Sequence, residues 1–215
     1  MNPKMILPPK GIFVQGGPDD PLPYYYRPLI RHLFKRRIDC GLKLLTPPYA
    51  RILDVGYGSG ILLPTLGLYG HQIIGVDRDT EPETVFKSIE KYSLNCQLFK
   101  SDIANAPIPK ESIDLAVAFS VFEEVHDMES AIAGVYQLLK PGGEFLVGVP
   151  RVDPIMSVLF RLVGYNNIDD EHVRTYQTIF QCVQDQFKMK RMGFAKFPSL
   201  FPEYACLYFA AVFKK

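Results

Sequence analysis

The sequence predicts an α/β fold: a Rossmann-like, seven-stranded, mostly parallel sheet with an antiparallel terminal strand and helices on both faces. Short apolar runs alternate with helical patterns between residues 50 and 150, a glycine-rich turn follows the first of these runs, and two strand-like runs near the end lack a helix between them. Alternating strands and helices form right-handed βαβ units and therefore a parallel sheet. Two strands with no helix between them could instead pair antiparallel at one edge.

The composition is that of an ordinary globular protein. The chain has 215 residues, of which 47% are hydrophobic and 22% are charged, and its net charge of +1 gives no general attraction to nucleic acid. The four cysteines are scattered, which argues against a zinc site or a disulfide framework and predicts a cytoplasmic location. We expect no signal peptide, and no apolar run approaches the ~20 residues of a membrane span.

Residues 1–215 are predicted to form a single domain with four regions. These are an N-terminal arm with a cap helix (1–49), a cofactor-binding core (50–150), a helical insertion or lid (151–185) and a terminal strand pair (186–215). The helical pattern of the first region covers residues 24–45 and stops before two prolines. One face of it is basic and is expected to be solvated or to meet an anionic partner; its members are Arg27, Arg31, Lys35, Arg36, Arg37 and Lys43.

The core contains five predicted strands with helices between them. Apolar runs mark strands at residues 51–55, 72–76, 94–99, 113–119 and 144–149. Helical patterns cover residues 61–69, 81–92 and 130–139, and Lys-Pro-Gly-Gly at residues 140–143 predicts a turn before the fifth strand. Beyond the core we expect two helices within residues 154–185 and strands near residues 187–190 and 204–213.

A glycine-rich turn follows the first strand. Asp54 ends the strand, and Gly56, Gly58 and Gly60 follow at every second position. Glycine permits sharp turns and lets a ligand approach the backbone closely. The helix that Gly60 is expected to open should present free N–H donors at its N-terminus. The turn therefore predicts a site for a cofactor with a cationic and an anionic end, with a tight turn that binds nothing as the alternative.

Polar or aromatic residues also follow the next three strands. Asp77 can accept hydrogen bonds from both ribose hydroxyls, and Asp102 can accept from an exocyclic amine while Ile103 packs on the ring. Phe119 ends the fourth strand. Each carboxylate could instead cap the following helix. Because ligands of open α/β sheets lie beyond the carboxyl ends of the strands, acids at three successive strand ends favour one adenosine-like ligand.

Five segments, in order, resemble the motifs of class I S-adenosylmethionine-dependent methyltransferases, of the small-molecule, type 11-like kind. Residues 52–60 look like the first motif, residues 74–77 resemble the second strand with its acidic end, and residues 101–103 look like the adenine-contacting segment. Residues 113–125 are similar to the fourth motif, and residues 138–143 resemble the turn before the fifth strand. The resemblance covers about residues 50–150.

The resemblance implies S-adenosylmethionine (SAM) as cofactor and methyl transfer by in-line displacement. It implies that Asp54 lies near the cofactor ammonium, that the glycines line its methionine and ribose portions, that Asp77 holds the ribose and that Asp102 and Ile103 bracket the adenine. No metal site is predicted. The predicted cofactor-binding residues are Asp54, Gly56, Gly58, Gly60, Asp77, Arg78, Asp102, Ile103 and Phe119.

Two positions depart from the family pattern. Tyr57 stands where Cys or a small residue is usual, so its side chain either points away or narrows the site. Glu124 stands where many small-molecule members have His, so a base at that position is in doubt.

The catalytic residues cannot be assigned from the sequence. A base is needed only if the acceptor must lose its proton, and the candidates are Glu123, Glu124, His126 and His172. Glu123 and Glu124 more often represent a solvated helix start. His172 follows three acidic residues and could be a metal ligand, although a polar helix cap is the favoured interpretation.

The expected acceptor is a small or lipid-like molecule, with peripheral membrane contact as one option. Nucleic acid is disfavoured, because the Asn/Asp-Pro-Pro-Tyr/Phe pattern of base methylation is absent after the fourth strand. One alternative function is an NAD-dependent oxidoreductase on a Rossmann-like sheet. The dinucleotide fingerprint fails because Ile61 stands at its third glycine position. The other alternative is a non-catalytic cofactor-binding protein.

Overall fold

The chain is built around one seven-stranded sheet. A computed structural model describes residues 3–17, 20–28, 30–151, 175–196 and 206–215. The strands are β1 (Tyr49–Val55), β2 (Gly70–Asp77), β3 (Cys96–Lys100), β4 (Ile113–Phe119), β5 (Leu139–Pro150), β6 (Lys188–Lys196) and β7 (Cys206–Lys214).

The strand order places a crevice at the centre of the sheet. The order is β3-β2-β1-β4-β5-β7-β6. β1 to β5 are parallel, whereas β7 pairs antiparallel with both β5 and β6. The predicted fold class and the predicted antiparallel terminal pair are confirmed. The chain leaves β1 toward β2 on one side and returns to β4 on the other, so the ends of β1 and β4 flank the switch point where such sheets bind ligands.

Helices cover both faces of the sheet. The helices are α1 (Ile30–Leu42), α2 (Leu63–Leu66), α3 (Pro82–Ile89), α4 (Met128–Leu138) and α5 (Tyr176–Gln184), with short 3-10 helices at Leu22–Tyr26, Glu90–Tyr92 and Ile103–Asn105. Apolar residues of α1, α2 and α3 pack with Ile52 of β1 on one face, and those of α4 and α5 pack with Leu53 on the other. Adjacent strand residues point to opposite faces, which is why these strands are apolar throughout.

Three predicted elements differ from those observed. The pattern at residues 24–45 is split, because Pro28 holds Arg27 in an extended conformation between the first 3-10 helix and α1. The helix expected at residues 61–69 is only the four-residue α2, with turns at residues 61–62 and 67–69 on either side of it. β5 begins at Leu139 rather than after the predicted turn. Residues 140–143 form a bulge in β5 that lies between two residue pairs with β4, Ile113 with Leu139 and Leu115 with Glu144.

The insertion predicted after β5 is described only in part. α5 accounts for the second predicted helix, beginning after a Thr175 side chain that accepts a hydrogen bond from the Thr178 N–H. The first helix expected within residues 154–185 lies outside the described residues, as does His172.

Candidate active site

A cavity of about 960 Å³ lies at the carboxyl ends of the parallel strands. Pockets that bind small ligands or cofactors typically measure ~300–1,000 Å³, so this one is large. Asp54, Asp77 and Asp102, which the sequence places after three successive strands, all line it. Arg78, Ile103 and Phe119 line it as well. The structure thus brings together most of the predicted cofactor-binding residues in one space.

Asp54 is the most deeply buried acid of this group. It is 3% exposed, and its Oδ2 atom is buried with no hydrogen-bond partner in the described part of the chain. Burial, together with the nearby charge of Asp77, raises the pKa of Asp54 to about 8. A buried carboxyl without a partner is unfavourable unless a cationic or donor group satisfies it. Asp54 is therefore suited to hold an ammonium.

The glycine turn contributes shape rather than hydrogen-bond donors. Its main-chain N–H groups already have partners within the protein: Gly56 donates to the Val76 carbonyl (2.7 Å), Gly58 to Asp77 Oδ2 (2.9 Å), Ser59 to Asp20 Oδ2 (2.6 Å) and Gly60 to the Tyr57 carbonyl (2.8 Å). The expectation of free donors at a helix N-terminus is wrong, because α2 is one turn long and starts beyond the glycines.

The three glycines do not have equal roles. Gly56 and Gly58 line the cavity and have positive φ angles of 70° and 48°. Gly60, with φ of 77°, is buried outside the cavity lining. A Cβ added there would lie 2.4 Å from Val85 of α3. Gly60 therefore allows α3 to pack closely against the turn, and the predicted direct contact with a cofactor does not fit its position.

Asp77 organises the loop that follows β2 as well as facing the cavity. Its Oδ1 accepts from the N–H groups of Asp79 (2.9 Å) and Thr80 (2.8 Å), and its Oδ2 accepts from Gly58. A carboxylate offers about four acceptor positions. One position remains, which leaves room for a hydrogen bond from one ribose hydroxyl rather than from the two that the sequence suggested.

Asp102 and Arg78 carry exposed side chains. Asp102 precedes the 3-10 helix Ile103–Asn105, yet its side chain makes no capping hydrogen bond, so the capping alternative does not account for it. Arg78 pairs with Asp79 at 3.2 Å, with both side chains largely in solvent.

Tyr57, which departs from the family pattern, is among the residues that line the cavity. Its ring lies over Gly75, where an added Cβ would be 2.7 Å from the ring, and its hydroxyl donates to the Thr80 carbonyl at 3.0 Å. The residue is only 4% exposed, so its side chain mainly supports the loop after β2.

A second group of polar residues lines the same cavity on the side of α1 and β7. We call it the Arg37 pocket; it consists of Tyr25, Phe34, Arg37, Ser120, Glu123 and Tyr208. Arg37 donates from Nη2 to the Tyr25 hydroxyl (3.2 Å) and from Nη1 to Ser120 Oγ (3.4 Å). Ser120 Oγ also lies 3.1 Å from the Tyr208 hydroxyl. Ser120 has a φ of 56°, an uncommon conformation that is often found at functional sites.

Of the two alternatives for the basic face, solvated or meeting an anionic partner, the solvated one is wrong for Arg37, which lines the cavity. Its Nε atom is buried, and its guanidinium carbon lies 4.2 Å from the centroid of the Phe34 ring. Phe34 and Gly41 are buried three residues before and four residues after Arg37. This helical spacing is the signal that could have placed Arg37 on the inward face.

Glu123 is not part of a solvated helix start. It is 1% exposed, and α4 begins only at Met128. Neither carboxylate oxygen makes a hydrogen bond of normal geometry among the described residues, although the Ser120 hydroxyl is close enough to act on the carboxyl. Burial raises the pKa of Glu123 to about 8, and the residue's own main-chain N–H, the charge of Arg37 and the Ser120 hydroxyl act against this rise. Glu124 and His126, the other described candidates for a base, are exposed but also line the cavity.

The N-terminal arm forms part of the cavity wall, which the sequence did not indicate. Gly16, Gly17 and Asp20 line the cavity. Asp20 accepts hydrogen bonds from the N–H groups of Gly16 (2.9 Å) and Leu22 (2.9 Å) in addition to that of Ser59. No local pattern identifies this role, because it depends on a contact between segments that are distant in sequence.

The described residues contain no cluster of His, Cys, Asp and Glu suited to a metal ion. Among the same residues, no helix combines the length and the apolar character that a membrane span requires.

The fold and the cavity define the class of protein, and the sequence comparison agrees with them. Residues 23–185 match the family described as "Methyltransferase domain", and the chain belongs to this family. The predicted family is thereby confirmed.

Several named proteins resemble parts of the chain. It is 30% identical over 120 residues to the ubiquinone biosynthesis O-methyltransferase of Hahella chejuensis, a match that covers 54% of this chain and 50% of that protein. It is 35% identical over 119 residues to the mitochondrial ubiquinone biosynthesis O-methyltransferase of Rattus norvegicus, covering 51% and 33%. The chain thus spans half or less of the length of these relatives.

A solved structure shares the fold over nearly the whole chain. The N-methyltransferase NodS from Bradyrhizobium japonicum WM9, crystallised with S-adenosyl-L-homocysteine, superposes with a TM-score of 0.64 at 18% identity and covers 92% of both chains.

Proposed function

We propose that this protein transfers a methyl group from SAM to a small-molecule acceptor. The observation that carries the proposal is the convergence of Asp54, Asp77 and Asp102 on one cavity that continues into the Arg37 pocket. One end of this cavity has the groups that a nucleoside with a cationic tail requires, and the other end has separate polar groups for a second molecule. The family match and the names of the relatives support the same reaction.

The residues present fit SAM. The unpartnered Oδ2 of Asp54 suits the cofactor ammonium, Asp77 has one acceptor position left for the ribose, and Ile103 lies beside Asp102 for the adenine. When bound, SAM supplies a methyl group that is carried on a sulfonium. This methyl group leaves the sulfur without the bonding electron pair. The protein then has to align the acceptor and exclude water, which in ideal intramolecular systems contributes up to ~7–11 kcal/mol.

We also propose that the acceptor is a small molecule, which includes a lipid-like one, and not a nucleic acid. The names of the relatives support this acceptor class. A cytoplasmic location is supported by the absence of disulfides among the four cysteines. We further propose that the chain acts as one domain, which the extent of the family match supports.

Calorimetric titration with S-adenosylhomocysteine (SAH), SAM and NAD tests the proposal. We expect SAH and SAM to bind and NAD not to bind; binding of NAD alone would favour an oxidoreductase. Transfer of labelled methyl from SAM to a panel of small hydroxyl- and amine-bearing compounds then tests catalysis. SAH binding with no turnover on any compound would favour a non-catalytic cofactor-binding protein.

A further inference from the structure

Two polar side chains of the Arg37 pocket, the half-buried Arg37 and the buried Glu123, have hydrogen-bonding capacity that the protein leaves unused. Nη1 and Nη2 of Arg37 donate to Ser120 and Tyr25, whereas Nε is buried without a partner in the described residues. Both carboxylate oxygens of Glu123 are buried and make no hydrogen bond of normal geometry there; the Ser120 hydroxyl that acts on this carboxyl is already shared with Arg37 and Tyr208. Unused capacity of this kind is unfavourable in a folded protein, so its occurrence twice in one cavity points to a ligand.

The two side chains lie near each other but are not hydrogen-bonded to each other. The charge of Arg37 influences the pKa of Glu123, and both residues line the cavity. A group that satisfies both must accept a hydrogen bond from Nε–H of Arg37 and donate one to the carboxylate of Glu123. A hydroxyl does both with a single oxygen.

The surroundings favour an aromatic hydroxyl. The guanidinium lies against the rings of Phe34 (4.2 Å), Tyr25 (5.6 Å) and Tyr208 (5.9 Å), measured from its carbon to each centroid. Phe119, at the end of β4, adds a further ring to the cavity lining. Flat apolar walls of this kind suit an aromatic ring, and a phenol with a pKa near ~10 gives up its proton far more readily than an aliphatic alcohol.

Resting on the proposed function, we propose that the Arg37 pocket binds a phenolic acceptor, with Arg37 donating to its hydroxyl oxygen and Glu123 taking its proton. As the new oxygen–carbon bond forms, the hydroxyl proton passes to the Glu123 carboxylate in its ionised form, which is the minor form at neutral pH and is well populated near pH 8. The electron pair of the broken carbon–sulfur bond stays on sulfur, and Glu123 later releases the proton to water. An attacking amine would instead develop positive charge beside the guanidinium, which is unfavourable.

Binding of two matched probes tests this assignment without turnover. 4-Methylphenol and 4-methylanisole share a ring and a substituent, but only the phenol, which stays un-ionised at pH values below its pKa of about 10, can donate to Glu123. With SAH present at about pH 8, where ionised Glu123 is populated, we expect the wild-type protein to bind 4-methylphenol about 10- to 100-fold more tightly than 4-methylanisole, because charged partners strengthen the hydrogen bonds. Equal binding of the two probes would overturn the assignment.

Variants identify the residues responsible. Arg37→Lys, which keeps the charge but lacks Nε, and Glu123→Gln should each abolish most of the preference for the phenol. Arg36→Met and Glu129→Gln, at exposed positions on α1 and α4, should retain it. SAH affinity, measured on every variant, shows whether the fold is intact; if a variant does not fold, the comparison of the two probes on wild-type protein still decides the question.

Two further probes test other acceptor chemistries. 4-Methylaniline or 4-methylbenzoate binding as tightly as 4-methylphenol, and losing affinity in the same two variants, would replace the phenol by an amine or a carboxylate and overturn the assignment. Failure of SAH itself to bind would count against the proposed function, whereas SAH binding without phenol preference would count against the phenol assignment alone.

Discussion

The carboxylate of Asp20 accepts a hydrogen bond of 2.6 Å from the main-chain N–H of Ser59, across a separation of 39 residues. The same carboxylate accepts from Gly16 and Leu22, so it joins the N-terminal arm to the glycine turn after β1. The cavity wall on this side therefore depends on the arm. Within the turn, this contact occupies the N–H of Ser59, which is therefore not a donor to a ligand.

Close packing of Gly16 against the turn leads to the first prediction. A Cβ at Gly16 would lie 2.5 Å from Thr80 Oγ1 and 2.8 Å from the carbonyl carbon of Gly58, whereas a Cβ at Gly17 would meet nothing within 4 Å. Gly16→Ala should therefore lift the arm, destabilise the protein by about 1–3 kcal/mol and speed amide hydrogen exchange at Ser59. Gly17→Ala is the matched control, and similar exchange rates at Ser59 in the two variants would contradict the prediction.

The hydrogen bonds of Asp77 lead to a prediction about the ribose. With one acceptor position left, Asp77 should hold one of the two hydroxyls. Of the SAH analogues that lack the 2′- or the 3′-hydroxyl, one should bind roughly 10- to 100-fold more weakly than SAH and the other nearly normally. This difference should shrink in Asp77→Asn and persist in Asp79→Asn. Equal, large losses for both analogues in calorimetry would show that Asp77 accepts from both hydroxyls.

The pKa of Asp54 predicts that cofactor binding depends on pH. With a pKa of about 8 in the free protein, Asp54 is largely protonated at neutral pH and must lose its proton to pair with an ammonium. SAH affinity should therefore rise with pH between about pH 6 and about pH 7.5, by at most about tenfold per pH unit. Asp54→Asn should bind SAH more weakly and without this slope, whereas Glu90→Gln on the exposed surface should keep it. A wild-type affinity independent of pH would refute this role of Asp54.

The pKa of Glu123 predicts a pH-dependent stability. Because its folded-state pKa of about 8 is above the ordinary value of 4.5, the folded state holds the proton more tightly than the unfolded state. The free energy of unfolding should therefore decrease as pH rises from about 4.5 to about 8, by on the order of a few kcal/mol. The charged or titratable groups that act on Glu123 are Arg37 of α1, Tyr208 of β7 and the adjacent Glu124.

Glu123→Gln isolates this contribution in denaturant unfolding. In the variant, the free energy of unfolding should decrease much less with rising pH and should exceed that of the wild type near pH 8. The part of the decrease that is due to Asp54 should remain. A variant with the same pH profile as the wild type would mean that Glu123 is not buried as a neutral acid.

The sheet and the cofactor end of the site could be predicted from local patterns. β4 was predicted at its observed limits, because a buried parallel strand is apolar on both faces. Asp54, Asp77 and Asp102 could be placed together because the carboxyl ends of parallel strands share one sheet edge. The length of α2 could not be predicted, since the apolar pattern that predicted a helix continues through the turns at residues 61–62 and 67–69.

The sequence by itself determined the fold class, the order of the strands' acidic ends and the family, because each depends on residues that are neighbours in the chain. Only the tertiary structure decided that Arg37 faces the cavity with its Nε buried, that Glu123 is buried beside it and that Asp20 binds the turn. Arg37 reaches Ser120 across a separation of 83 residues, and Asp20 reaches Ser59 across 39. Whether a charged side chain is solvated or buried depends on which distant segment packs over it, and no local pattern encodes that segment.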